Sequence, residues 1–102
     1  MKLLTLIINN NLQQDVADHL LGLEQISGFT FSHVEGHGEQ VEGDAFLSTR
    51  DKVVGHTPRI KIHILLEEQL VESVLATLSQ SVNGIKDHGI FWVTAVEQSG
   101  RL

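Results

Sequence analysis

A chain of 102 residues with 41% apolar and 20% charged residues has the size and composition of one folded domain, spanning residues 1–102. Its 13 acidic against 7 basic residues leave a formal charge of -6, which argues against a nucleic-acid partner, because phosphate binding needs clustered Lys and Arg. No cysteine is present, so disulfides and thiolate metal sites are excluded. No apolar run approaches the roughly 18 residues that suggest a membrane helix. Met1-Lys2 leads into a short alternating segment, not a signal peptide. The expectation is a cytoplasmic protein with no membrane insertion.

Lys2 to Asn9 reads as a first strand, with Leu4, Leu6 and Ile8 on one face and Leu3, Thr5 and Ile7 on the other. Both faces are largely apolar, which suits a strand central in its sheet. Asn9-Asn10-Asn11 is a turn and helix-cap signal, and the spacing of Leu12, Val16, His19, Leu20 and Leu23 predicts a helix over 12–23. Gly22 and Ser27-Gly28 end it. Phe29 to Glu35 alternates as a second strand and is interrupted by Gly36 and Gly38. Arg59 to Glu67 gives the clearest alternation in the chain, with Ile60, Ile62, Ile64 and Leu66 opposite Lys61, His63 and Leu65. Pro58 is tolerable as the opener of that strand. A second helix is predicted over 68–82 on the stripe Leu70, Val71, Val74, Leu75 and Leu78, closed by Asn83-Gly84. Ile90 to Glu97 is the last strand.

The order βαββαβ with right-handed crossovers predicts an α+β, ferredoxin-like sandwich: a four-stranded antiparallel sheet with two helices on one face. The other face then carries Leu3, Thr5, Ile7, Lys61, His63 and Leu65, which is too apolar to stay wet. A homo-oligomer formed through the sheets is expected. Between strands two and three lies a flexible loop at about 36–58, long enough to mean function or disorder.

The strand order, that long loop, and Gly36-His37-Gly38-Glu39-Gln40 at its base together resemble the PII-like signalling proteins, in which a Gly-aromatic-Gly-x-Gln motif opens the T-loop. Lys86-Asp87-His88-Gly89-Ile90-Phe91 is similar to the B-loop that leads into that family's final strand. The nearest likeness is to a small PII-like subgroup met beside heavy-metal efflux systems. The resemblance implies a non-enzymatic homotrimer that senses a small ligand, a nucleotide among the candidates, in clefts between subunits. It places Gly36, His37, Gly38, Gln40, Lys86, Asp87, His88 and Gly89 at the ligand. It gives residues 41–57, with Arg50 and Lys52, to a target protein such as a membrane transporter or an enzyme. Some positions depart from the nucleotide-binding pattern. Glu39 stands where Arg is frequent, Gly89 where Lys precedes Ile-Phe, and Val96 and Gln98 where the last strand is basic. A triphosphate held without such a clamp would rest on backbone N–H groups.

The histidines support a different reading, a divalent-metal protein of CutA-like role. If the loop closes as a hairpin, His37 and His56 approach one another, and Glu35, Glu39, Glu42 and Asp44 complete a mixed site for Zn²⁺, Cu²⁺ or Ni²⁺. No His-Glu-x-x-His spacing is present, and solvated loop residues are the plainer account. Catalysis finds little support: Ser32 and Ser48 lack a partnered base, and Glu67-Glu68 reads as a helix start.

Overall fold

The computed structural model describes residues 1–37, 57–86 and 89–102. Four strands form one antiparallel sheet: β1 (Lys2–Asn9), β2 (Phe29–Gly36), β3 (Thr57–Leu66) and β4 (Ile90–Ala95). Their spatial order is β2-β3-β1-β4, so β1 and β3 are central and β2 and β4 are edges. Helix α1 (Gln13–Leu21) follows β1, and α2 (Val71–Ser81) follows β3. This is the ferredoxin-like arrangement that the element order implies.

Alternation decides which residues meet the helices. Leu4, Leu6 and Ile8 of β1 lie opposite Ile64, Ile62 and Ile60 of β3, and all six are buried. Val16 and Leu20 of α1 and Val71, Val74 and Leu78 of α2 close this core from one side. Three apolar rungs facing two apolar helix stripes remove most of the chain's hydrocarbon from water.

Both helices begin through a 3₁₀ turn, Asn10–Leu12 before α1 and Glu68–Leu70 before α2. The turn before α1 is fixed by the Asn9 side chain, which accepts from the Asn11 backbone N–H at 2.9 Å. Helix α1 stops two residues sooner than its periodicity suggested. The Gly22 N–H reaches back to the His19 carbonyl at 3.2 Å, tightening the last turn. After α2, Gly84 takes φ 86°, a left-handed conformation that favours glycine. Val82, whose N–H bonds to the Leu78 carbonyl at 3.0 Å, is buried at the end of the helix, and Ile85, just after the turn, is buried as well.

The last strand is also shorter than its apolar run. Its pairing with β1 starts at Ile7↔Ile90 and ends at Lys2↔Ala95, and the Val96 N–H then bonds to the Met1 carbonyl at 3.2 Å.

Replacing fully buried Ile62 by Ala is expected to cost about 3 kcal/mol in urea unfolding, through lost transfer energy plus a cavity. Val93→Ala, on a residue 41% exposed, should cost less than about 1 kcal/mol. Equal losses would contradict this placement of the core.

Candidate functional site

The sheet's open face is set by register. Its rows run Ser32–Lys61–Ile7–Ile90 and Thr30–His63–Thr5–Trp92, with Val34, Arg59 and Asn9 in the row nearer the β2–β3 hairpin end. Leu65, Leu3 and Thr94 form the row at the other end. The face is therefore divided lengthwise. Over β2 and β3 it carries Arg59, Lys61 and His63 in one line, about 7 Å apart, flanked by Ser32 and Thr30. Over β1 and β4 it carries Leu3, Ile7, Ile90 and Trp92. No carboxylate belongs to these rows, although the chain as a whole is acidic. Thr5 is only 1% exposed, flanked in its row by His63 and Trp92.

Strand β4 is the least covered part of the sheet. Ile90, Phe91, Trp92 and Val93 are 52%, 55%, 46% and 41% exposed, alternating between the two faces. The strand reads Ile-Phe-Trp-Val-Thr-Ala, with no charge and no proline to guard an open edge.

The residues singled out by sequence fall in two places. Gly36 is the last residue of β2 and pairs with Thr57. His37 follows it, exposed, with Nε2 3.6 Å from the Glu35 carboxylate. Gly38, Gln40, Arg50, Lys52 and His56 lie outside the described residues. At the second place, Lys86 is exposed after the Gly84 turn. The Gly89 N–H bonds to the Ile85 carbonyl at 2.9 Å and leads directly into β4. Asp87 and His88 lie outside the described residues.

These two places share one end of the sheet but sit on opposite edges. Strands β3 and β1 lie between them, a lateral separation of roughly 14 Å. A single chain therefore does not bring Gly36 and His37 against Lys86 and Gly89. The metal reading depends on His56, so it too extends beyond the described residues. Among those residues no three His, Asp or Glu side chains are grouped to hold one ion.

Sequence reasoning missed a groove beside the second place. It runs between α2 and the β1–β4 edge and has a volume of about 180 Å³. Leu6 and Ile8 form its floor, Leu75, Leu78 and Ile85 one wall, and Ile90 and Phe91 the other. Gly89 lines its end, and the exposed Ser79 and Lys86 stand at its rim. The groove exists because the helices bury the inner residues of β1 and β3 but leave Phe91 and Val93 of β4 exposed. No periodicity in the sequence reports where a helix axis falls across a sheet. The one usable signal was the apolar, uncharged run of β4, which has more hydrocarbon than an edge strand can bury alone.

Comparison with known proteins adds ancestry to this geometry. The family described as "Protein of unknown function (DUF3240)" matches residues 1–102. A "Nitrogen regulatory protein P-II" of Azospirillum brasilense is 30% identical over 78 residues, 76% of this chain and 70% of the relative. The protein of the same name from Rhodospirillum rubrum is 28% identical over 85 residues, 82% of this chain and 73% of the relative. A crystal structure of a DUF3240 family protein from Shewanella baltica OS155 superimposes with a TM-score of 0.77 at 23% identity, covering 99% of this chain and 94% of that one. At that identity the likeness speaks for the fold.

A Cβ at Gly89 would stand 3.2 Å from the Ile85 carbonyl oxygen and 3.4 Å from Ile8 Cγ2. Gly89→Ala is therefore expected to cost about 1 kcal/mol or more in chemical unfolding. Gly28→Ala, where nothing lies within 4 Å, should be neutral or slightly stabilising. Equal effects would show that the turn before β4 is not tightly seated.

Proposed function

Because the chain belongs to the DUF3240 family and is related to P-II nitrogen regulatory proteins, we propose that it is a non-enzymatic regulatory module that works as a homotrimer in the cytoplasm. It senses a small ligand in clefts between subunits and contacts a target protein through residues 41–57. The observation that carries this reading is the separation of Gly36 and His37 from Lys86 and Gly89 onto opposite edges at one end of the sheet. Two half-sites on opposite edges become one site when copies meet edge to edge in a closed ring. The uncovered, uncharged β4 supports the same conclusion, since its apolar residues gain most from a neighbouring copy.

The target-contact half of the reading places Arg50 and Lys52 at the partner, a transporter of the metal-efflux kind or an enzyme. The ligand half takes a small ligand, a nucleotide being one candidate, near Gly36, His37, Gly38, Gln40, Lys86, Asp87, His88 and Gly89. A second reading, divalent-ion binding, has one observation in its favour: the Glu35 carboxylate and the His37 ring lie within 3.6 Å of each other at the loop base. In that reading His56 joins them.

Assembly is tested by sedimentation velocity, with the expected mass three times that of the 11.3 kDa subunit. The single tryptophan, Trp92, reports the same event, and its emission should shift to longer wavelength as dilution dissociates the ring. Trp92→Glu should yield single folded subunits with an unchanged circular dichroism spectrum. A wild-type chain that sediments as one subunit at all concentrations defeats the proposal. Calorimetric titration with ATP, ADP and Zn²⁺ addresses the ligand. Nucleotide heat abolished in Gln40→Ala supports the regulatory site, whereas Zn²⁺ heat abolished in His37→Ala or His56→Ala favours the metal reading.

A further inference from the structure

The groove between α2 and β4 has a chemistry of its own. Its floor and walls are hydrocarbon: Leu6, Ile8, Leu75, Leu78 and Ile85, with Phe91. Among the described residues one charged residue lines it, Lys86, which is exposed at the rim, as is Ser79. Its volume of about 180 Å³ is well below that of a drug-sized pocket. A space of that size suits a short hydrocarbon chain rather than a drug-sized ligand.

From this we infer that the groove binds a short aliphatic monocarboxylate, with its hydrocarbon chain along Leu75 and Leu78 and its carboxylate at Lys86 and Ser79. Charge complementarity selects the head group. One ammonium and one hydroxyl match a single negative charge, whereas a phosphate dianion takes a wider set of donors. The apolar walls select the tail, because nothing in them returns the hydrogen bonds that a polar tail would give up. Its described lining residues all belong to one chain. It shares Lys86 and Gly89 with the ligand site of the proposed function and rests on that reading only in calling the ligand a signal. A molecule seated there lies directly beneath Phe91 and Ile90 on the uncovered edge strand, where occupancy changes the surface offered to a neighbouring copy.

The test is a methyl-NMR titration of the full chain with butanoate, pentanoate, hexanoate and heptanoate. The Leu75, Leu78 and Ile85 methyl signals should shift, and affinity should rise about fourfold for each added methylene. The rise should stop once the chain outgrows the groove. Lys86→Ala should weaken the carboxylates about three- to fivefold while leaving 1-hexanol unchanged. Leu75→Trp should fill the groove and abolish both. No methyl shift at millimolar hexanoate, or an affinity indifferent to chain length, overturns the inference. So does an equal effect of Lys86→Ala on acid and alcohol. Sedimentation and nucleotide calorimetry on the same samples keep the two proposals apart. A trimer that binds nucleotide but no carboxylate removes only the groove. A single subunit that binds hexanoate removes only the assembly.

Discussion

The pairing of β1 with β3 is the constraint on which the other features depend. These strands hold the centre of the sheet and place Leu4, Leu6 and Ile8 opposite Ile64, Ile62 and Ile60. Period-two alternation leaves no freedom about the rest. Once those rungs face the helices, Leu3, Thr5 and Ile7 must face away, together with Lys61, His63 and Leu65. A one-residue slip would exchange a wholly apolar face for one carrying a lysine and a histidine, so the register is strongly specified.

Two helices then have a limited reach. They cover β1 and β3 well, and β4 only in part, and this shortfall produces both the groove and the exposed edge. The same sheet order carries β2 and β4 to opposite sides, so Gly36 at the end of β2 and Gly89 before β4 lie on opposite edges at one end of the sheet. The division of the open face follows from composition strand by strand. Strand β3 contributes Arg59, Lys61 and His63, while β1 and β4 contribute hydrocarbon. Copies that bury the hydrocarbon half need not bury Lys61 with it, which would be costly without a partner, whereas Arg59 is already buried within the single chain.

Much of the fold was legible because periodicity is a local property. Strand β1 was bounded correctly at both ends, and both helices appeared where their apolar stripes placed them. Strand ends were less legible where a partner decided them, as at Ala95, whose pairing stops because β1 begins at Lys2. The burial of Val82 and Ile85 was hidden in the same way. Val82 caps the helix in an extended conformation and Ile85 lies past the left-handed turn at Gly84, where helical periodicity no longer applies. The candidate site was legible only as two short motifs. Their positions at opposite edges of the sheet come from topology, which the motifs themselves do not encode. The groove was not legible at all, since it arises from the offset between a helix axis and an edge strand.

The central position of β1 has a bearing on biosynthesis. It is made before the other three strands, yet its two neighbours, β3 and β4, are synthesised dozens of residues later. A sheet whose middle is made first and whose flank is made last cannot condense progressively as it leaves the ribosome. Until Ala95 emerges, the hydrocarbon of that first strand lacks part of its permanent lining.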